Sequence, residues 1–395
     1  MAAPLPRSVK LLGWTSLFTD AATEAIYPLL PIFVTRVLGG TAMSLGLIEG
    51  AAEAIASVLK IVSGRMSDRT GRRRPFVIAG YSLAWLARPL IALAATWQHV
   101  FAVRLVDRIG KGLRGAPRDA MLAALAPEGE RGRVFGYHRA MDHLGAVIGP
   151  LAAALFLWFL PGQYRALFAL TFIPGALAVA MLLFVPEVGV TPQPTVPTNQ
   201  PNRPDQTTSR QPLPVPLKRF FFILAIFTLG NSTDAFLLLR LSDAGLPTIY
   251  LPIVWAGLHM IKSALSTAGG ALSDRVGRRR LIVGGWLLYA VVYAGFAFSE
   301  SLVALLAWFF AYGLYFAMVE GSEKALVTDL SPAASRGTAF GWYNGVLGFG
   351  ALAASVLFGT LWHLFGPHVA FLSGAGLALT AAAVLASDRR LASPS

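Results

Sequence analysis

GRMSDRTGRRR, residues 64–74, returns almost unchanged as GALSDRVGRRR, residues 270–280, at an offset of 206 residues. A second pair of segments, LAPEGERGRVFGY (125–137) and LSPAASRGTAFGW (330–342), is separated by 205 residues. Two unrelated motifs at nearly one offset indicate a duplicated unit of about half the chain rather than chance. The sequence therefore predicts two halves with the same fold.

The composition is that of a membrane protein. Hydrophobic residues make up 55% of the 395 residues and charged residues only 13%, about half the charged fraction usual in soluble proteins. Several apolar runs reach the ~20 residues that a bilayer-spanning helix needs. Read between turn and charge signals, the sequence predicts twelve helices, at 10–35, 42–64, 76–97, 99–122, 134–160, 164–185, 219–241, 248–271, 281–298, 301–326, 337–361 and 367–386.

A proline-rich segment separates the two predicted halves. Residues 186–216 contain nine prolines, a composition that cannot pack a core and is typical of an extended, solvated linker. We therefore expect an N-terminal six-helix bundle over 1–187, a cytoplasmic linker over 188–216 and a C-terminal six-helix bundle over 217–395. The predicted fold class is an all-α integral membrane protein with two pseudo-symmetric six-helix bundles.

The distribution of charge predicts the topology. A formal net charge of +13 would suggest a nucleic-acid partner if the bases formed one surface. Most bases instead lie in short connections between apolar runs, which is typical of cytoplasmic loops, so we expect no nucleic acid and both termini in the cytoplasm. The basic side collects Arg65, Arg69, Arg72, Arg73, Arg74, Arg131, Arg133, Lys218, Arg219, Arg275, Arg278, Arg279, Arg280, Arg389 and Arg390, against Arg36, Arg165 and Arg240 on the other.

Several function classes lack their motifs. The chain has no cysteine, which excludes disulfides and thiolate metal sites. The N-terminal MAAPLPRSVK runs directly into a long helix without a signal-peptide pattern. The phosphate-binding pattern G-x-x-x-x-G-K-[ST] is absent, and no nucleophile–base or metal-triad spacing appears. We therefore expect no enzyme, no metal and no cofactor, with an ion gradient as the energy source.

The fourth predicted helix carries a stripe of charge. FAVRLVDRIGKGLRGAPRDA, residues 101–120, holds five bases and two acids, most of them within about a third of the helix circumference. If the stripe faced lipid, each central base would cost roughly 2.5–3.5 kcal/mol, on the order of 10 kcal/mol for Arg104, Arg108 and Lys111 together. We therefore expect the stripe to face the bundle interior or water.

Other ionisable side chains are predicted at similar depth, including Lys262 and Glu320 in the second half. Buried acids and bases should largely pair, either as a structural salt-bridge network or as pairs that exchange when substrate or a proton arrives. The predicted substrate and proton pathway comprises Asp20, Glu24, Glu49, Glu53, Arg88, Arg104, Asp107, Arg108, Lys111, Asp142, His143, Asn231, Asp234, Trp255 and His259.

These motifs resemble those of the major facilitator superfamily over essentially the whole chain. The loop pattern G-x-x-x-D-R-x-G-R-R-R occurs in both repeats, and YPLLP (27–31) is similar to the family's P-x-x-P at the end of helix 1. Arg104, Gly110 and Gly112 resemble its R-x-x-x-G-x-G element, with Arg108 where a glycine is usual. The residues that match the gating loops, with the charged pairs of helices 4 and 10, are Gly64, Asp68, Arg69, Gly71, Arg72, Arg118, Asp119, Gly270, Asp274, Arg275, Gly277, Arg278, Glu323 and Lys324.

The resemblance implies a gate and a hinge. In the family, the aspartate matching Asp68 locks the cytoplasmic side shut in the outward-open state; here it can cap a neighbouring helix or pair with a base. GAVIGP (145–150) is similar to the G-x-x-x-G-P element of proton-driven exporters. Gly145 and Gly149 permit close helix packing and Pro150 permits a bend, so this element is either a gating hinge or ordinary packing.

The implied function is secondary active transport by alternating access, in a multi-pass protein of the inner or plasma membrane. The resemblance to drug/proton antiporters favours proton-coupled efflux, and three intramembrane bases favour an anionic or amphiphilic substrate. The alternatives are export of a metal ion or metal chelate, proton-coupled uptake of an organic anion, and a transport-dead membrane receptor. We expect a monomer whose partners are a small molecule, protons and the lipid bilayer.

Overall fold

A computed structural model describes residues 4–188, 213–247 and 250–388. Its helical segments are helix 1 (Arg7–Val37), helix 2 (Ala42–Thr70), helix 3 (Arg74–Leu93), helix 4 (Trp97–Leu125), helix 5 (Arg131–Phe159), helix 6 (Tyr164–Leu183), helix 7 (Val215–Asp243), helix 8 (Leu251–Val276), helix 9 (Arg278–Phe298), helix 10 (Leu302–Leu330), and helices 11 and 12, which are the two arms of Arg336–Ser387. The last two arms meet at Gly366, whose φ of 84° breaks the helical path.

The described ranges thus contain the twelve predicted segments and an all-helical membrane fold. Eight helices of the described chain, counting Ala333–Ser387 as one, are long and apolar enough to cross a membrane by length and composition. Helices 2, 4 and 8 complete the set, and they carry many of the polar and charged side chains of the interior. Strongly exposed apolar side chains such as Trp158 and Phe159 lie on the outside of the bundle, where lipid would cover them.

Two helices are interrupted at matching places in the two halves. In helix 1 a 3-10 turn, Tyr27–Leu29, interrupts the α-helix where Pro28 supplies no backbone donor. Helix 7 stops at Gly230 and resumes at Ala235. The prediction of one uninterrupted helix over 219–241 is therefore wrong. Broken membrane helices are tolerated where the freed backbone faces protein or a water-filled cavity, and both breaks lie beside predicted pathway residues.

The C-terminal half is built around stacked aromatic rings. Phe227 of helix 7 stacks on Trp286 of helix 9 with ring centroids 4.6 Å apart, and Tyr289 stacks on Tyr293 at 4.1 Å. Tyr312 of helix 10 continues the cluster, and all five rings are buried. This half therefore has an interior rich in aromatic rings, whereas the N-terminal half holds the charged stripe of helix 4.

Part of the sequence interpretation lies outside the described residues. The predicted linker, 188–216, falls mostly within residues 189–212, and Arg389 and Arg390 follow the last described residue.

Candidate functional site

The two halves are latched together on the side of the membrane that carries loops 64–74 and 270–280, which we call the repeat-loop side. Asp68 accepts hydrogen bonds from the backbone N–H groups of Gly337 (2.9 Å) and Thr338 (2.6 Å), at the start of helix 11. Helix N-termini present unsatisfied donors and a partial positive charge, which a carboxylate stabilises.

The second latch repeats the first with the halves exchanged. Asp274 accepts hydrogen bonds from the backbone N–H groups of Gly132 (2.9 Å) and Arg133 (2.8 Å), at the start of helix 5. Arg278 forms an ion pair with the same carboxylate. Each half thus caps a helix of the other half, and the two caps are related by the sequence repeat.

The bases around the latches divide into buried and exposed groups. Arg73 lies 3.6 Å from Asp68 and donates to the carbonyl oxygen of Ala333 in the other half at 3.1 Å. Burial lowers the pKa of the Arg73 guanidinium, and the Asp68 carboxylate opposes that change; an arginine remains a cation at neutral pH. The predicted gating bases Arg69, Arg72 and Arg275 are exposed. The two loop glycines, Gly71 and Gly277, have φ of 64° and 96° and allow the turns that end helices 2 and 8.

Glycines let the halves touch along their backbones on this side. A Cβ on Gly64 would lie 2.1 Å from the carbonyl oxygen of Gly337, and a Cβ on Gly270 would lie 2.0 Å from that of Gly132. Helices 2 and 11, and helices 5 and 8, therefore pack backbone to backbone. Among the described residues, the hydrogen bonds, ion pairs and ring contacts that join the halves run from the repeat-loop side to His143 and no further. The molecule is closed on the repeat-loop side.

A buried ion pair joins the halves between helices 4 and 10. Lys324 Nζ lies 2.7 Å from an Asp119 carboxylate oxygen, and both side chains are 1% exposed. Arg118 pairs with the same aspartate at 3.0 Å. Glu323 instead accepts hydrogen bonds from Tyr343 (2.9 Å) and Trp286 (3.3 Å). Of the two sign-reversed pairs suggested by sequence, the structure therefore brings together only Asp119 and Lys324.

Deeper in the N-terminal half, part of the helix 4 stripe forms a salt-bridge network. Arg88 and Asp107 pair at 2.8 Å, Arg104 lies 2.7 Å from Glu49 and 3.7 Å from Asp107, and all but Glu49 are buried. Arg108 reaches Glu49 only at 3.9 Å. The stripe thus faces the protein interior, and Arg88, Arg104 and Asp107 are held in fixed pairs.

Other charged groups of this half have no such partner. Within the described residues, no ion pair shorter than 4.0 Å and no side-chain hydrogen bond reaches Asp20, Glu24, Glu53 or Lys111. Lys60 of helix 2 belongs to the same group and was missed by the sequence interpretation, although it follows Glu53 by seven residues and so shares its helix face.

Asp142 behaves differently from these acids. Its carboxylate accepts a hydrogen bond from Ser16, pairs with Arg139 at 3.0 Å and lies 3.5 Å from His138. The helix 5 glycines nearby pack against helix 1, since a Cβ on Gly145 would lie 2.4 Å from the Leu17 carbonyl oxygen and one on Gly149 2.5 Å from that of Ala21. Helix 5 continues through Pro150 to Phe159, and both glycines are in close contact with helix 1 in this conformation.

In the C-terminal half, one cation sits in an aromatic setting. Lys262 lies 3.4 Å above the ring centroid of Phe316 and 3.6 Å from Asp234. Asp234, at the break in helix 7, also accepts a hydrogen bond from Tyr312 at 2.9 Å. Asn231, in the same break, lies 3.4 Å from the Tyr289 hydroxyl. Lys262 is therefore occupied by partners within its own half, unlike Lys111.

Histidines from both halves meet at the end of the contact between helices 5 and 8. His143 Nδ1 lies 3.2 Å from His259 Nδ1, and His143 Nε2 lies 2.8 Å from a Glu320 carboxylate oxygen. The ring of Trp255 packs on His259 with centroids 4.8 Å apart. Among the described residues, no group of three histidine, aspartate or glutamate side chains is arranged to hold one metal ion.

The sequence matches a known protein family and several known relatives. A family model described as Major Facilitator Superfamily matches residues 12–265 and 254–394. An uncharacterized MFS-type transporter of Methanocaldococcus jannaschii is 34% identical over 387 residues, 96% of this chain and 94% of the relative. The multidrug resistance protein MdtH of Photorhabdus laumondii is 31% identical over 134 residues, which is 34% of this chain and 33% of the relative.

Solved structures share the architecture at low sequence identity. The human organic anion transporter MFSD10 (TETRAN) superposes with a TM-score of 0.76 and 16% identity, covering 97% of this chain and 100% of that one. The proton:xylose symporter XylE superposes with a TM-score of 0.78 and 17% identity, covering 97% and 95%. Both likenesses concern the fold.

Proposed function

The chain belongs to the major facilitator superfamily of membrane transporters, and we propose that it exports an anionic or amphiphilic small molecule in exchange for protons. Transport would proceed by alternating access, with the substrate held between the halves. The described conformation, closed on the repeat-loop side, is then one end state of the cycle. The other end state would require the two Asp latches and the Asp119–Lys324 pair to open.

The observation that carries this proposal is the set of unpartnered cations on the inner face of the N-terminal half. Lys60 and Lys111 have no ion pair within the described residues, and Arg108 reaches its nearest acid only at 3.9 Å. A half-buried cation without a partner is unfavourable unless an anion or water satisfies it. An anionic group of the substrate, bound against helices 2 and 4, would supply that compensation.

Unpartnered carboxylates beside these cations support proton coupling. Asp20, Glu24 and Glu53 have no ion pair shorter than 4.0 Å among the described residues, so each could take up a proton without breaking a salt bridge. For exchange, these acids would be protonated in one end state of the cycle and the substrate anion would be bound in the other.

The direction of transport is supported by charge and by resemblance. Lysine and arginine are enriched on the cytoplasmic side of membrane proteins, so we assign the repeat-loop side to the cytoplasm of a cell membrane. The relative named as a multidrug resistance protein matches about a third of the chain, and the G-x-x-x-G-P pattern of helix 5 also favours export. The substrate-binding side would then be open to the outside in this conformation.

The test is dye transport by purified protein in proteoliposomes. A pH-insensitive sulfonated rhodamine serves as the amphiphilic anion, and an imposed pH gradient supplies the driving force. We expect the gradient to accelerate dye flux at least tenfold, and the double variant R108Q/K111Q to abolish that flux. R7Q/K10Q removes two exposed bases of helix 1 and is the matched control, with flux unchanged. Full dye transport by R108Q/K111Q would contradict the anion site, and indifference to the gradient would contradict proton coupling.

A further inference from the structure

One polar cluster exists only because the two halves are in contact. His143 of the N-terminal half uses both ring nitrogens on the other half: Nε2 lies 2.8 Å from Glu320 of helix 10, and Nδ1 lies 3.2 Å from Nδ1 of His259 of helix 8. We call these three residues the interface triad.

The triad marks the boundary between the closed and the open part of the molecule. One turn towards the repeat-loop side, Ser263 donates to the carbonyl oxygen of Ala140 at 2.8 Å, and from there helices 5 and 8 stay in backbone contact to Gly132. The Glu320 side chain is 22% exposed and that of His143 10%. With the repeat-loop side closed, protons would reach the carboxylate from the opposite side.

We propose that the interface triad is the site that carries the coupling proton, and that its proton affinity depends on whether the halves are in contact. This inference rests on the proposed proton-driven transport and names its coupling group. It differs from the expectation that an unpartnered acid of the N-terminal half carries the proton. Glu53, Glu24 and Asp20 keep their places within one half, whereas the bonds of the triad are made and broken by the conformational change itself.

The chemistry of the imidazole suits this task. A neutral His143 has one N–H, which can donate to Glu320, while Nδ1 accepts from His259. A protonated His143 donates from both nitrogens, and His259 accepts after moving its own proton to Nε2. Glu320 then faces a full positive charge at 2.8 Å, so contact between the halves strengthens proton binding. When the halves part, the imidazolium loses both partners and releases its proton on the repeat-loop side.

Besides His143, Arg139 of helix 5 and Lys262 of helix 8 are cations that act on Glu320. The charged and titratable groups near the triad are engaged elsewhere, apart from Asp20 of helix 1, which has no partner in the described chain. Those engaged are Arg139, Asp142 and His138, which associate with one another on helix 5; Lys262 of helix 8, held by Asp234; and Glu323 of helix 10, held by Tyr343 and Trp286. Arg139 acts on Glu320 over a longer distance without forming an ion pair with it.

The direction of the effect follows from linkage. A proton that binds the closed state more tightly shifts the equilibrium towards closure as the pH falls, by at most about tenfold per pH unit for one proton. Protons taken up from the open side would be released on the repeat-loop side, so the triad moves protons in the direction that drives export.

Because the chain has no cysteine of its own, spin labels attach only at cysteines introduced by mutation. Spin labels on E128C and A334C, two exposed positions in the corresponding loops of the two repeats, report the distance between the halves on the repeat-loop side. In nanodiscs, lowering the pH from 8 to 6 should raise the ratio of closed to open molecules about fivefold. H143Q and E320Q should reduce that change to less than 1.5-fold, while H363Q, an exposed histidine outside the triad, should keep it.

Dye flux in proteoliposomes separates the two proposals. If the triad is the coupling site, H143Q and E320Q still exchange dye across the membrane, but a pH gradient no longer accelerates them. If the pH gradient accelerates flux equally in the wild type and in both variants, the proposal for the triad is wrong and proton coupling itself stands. If the wild type ignores the gradient, the proposed function fails first. E320Q keeps a hydrogen-bonding side chain, so it remains informative should H143Q fold poorly.

Discussion

The two halves are alike where they touch on the repeat-loop side and unlike where they face each other at the centre. Asp68 and Asp274 cap helices of opposite halves through the same pair of backbone hydrogen bonds. At the centre, the N-terminal half has charges such as Lys111 and Glu53 that form no ion pair within the described residues, whereas the C-terminal half surrounds Lys262 with aromatic rings. The gate thus retains the symmetry of the duplication, and the centre has diverged from it.

One pair shows why the symmetry must be broken. Asp119 and Lys324 are separated by the repeat offset, so each stands in the position of the other, and the two meet at 2.7 Å. If a duplication had kept the same residue at both places, two like charges would face each other in a buried contact. Opposite charges at equivalent positions turn a repulsion into an ion pair that joins the two halves.

Breaking the Asp119–Lys324 pair should have the largest effect on the stability of the closed protein. D119N leaves both Lys324 and Arg118 without their buried acid, which should destabilise the closed protein by about 3–5 kcal/mol. K324M leaves Asp119 its second partner, Arg118 at 3.0 Å, so its cost should be clearly smaller. Thermal unfolding in detergent and the distance between labels at 128 and 334 measure both effects. Equal losses for the two variants would contradict the assigned roles.

Adding a methyl group at the backbone contacts should give the second-largest destabilisation of the closed state. G270A places a Cβ 2.0 Å from the Gly132 carbonyl oxygen, and G64A places one 2.1 Å from that of Gly337. Overpacking of this kind costs about 1–3 kcal/mol, and here it acts against the closed state alone, so both variants should shift the label distance towards the open form. G376A, which meets nothing within 4 Å, is the control. A closed-state population unchanged in G64A and G270A would refute the backbone contact.

The two Asp latches test whether the gate is as symmetric as it looks. Each of D68N and D274N weakens two charge-assisted bonds to a helix N-terminus, worth about 1–2 kcal/mol. We expect the closed-to-open ratio of labelled protein to fall about tenfold in each variant and about a hundredfold in the double variant, since the latches share no residue. A double variant no worse than either single one would mean that the latches act as one unit.

The sequence predicted the gate better than the centre. The repeat identified Asp68 and Asp274, because an aspartate at the same place in both copies can be recognised without knowing how deep it lies in the membrane. Which charges pair was not predictable, since Asp142 and Glu53 look equivalent as acids in apolar helices, yet Asp142 is bonded to Ser16 and Arg139 while Glu53 is exposed. Partner choice depends on helix rotation and on side chains of other helices, which periodicity along one helix does not record.

Of the two central lysines, Lys111 should give the smaller change in stability and the larger change in transport. K262M removes a cation packed on Phe316 and leaves the half-buried Asp234 with Tyr312 as its remaining partner, which should cost about 1–3 kcal/mol. K111M removes a cation without an ion pair in the described chain, so stability should change by less than about 0.5 kcal/mol. Anion-dye flux should nevertheless fall at least tenfold in K111M, because the substrate supplies the missing partner. If K111M were the less stable variant and still transported the dye, Lys111 would be a structural residue, and the difference between the halves would not reflect substrate binding.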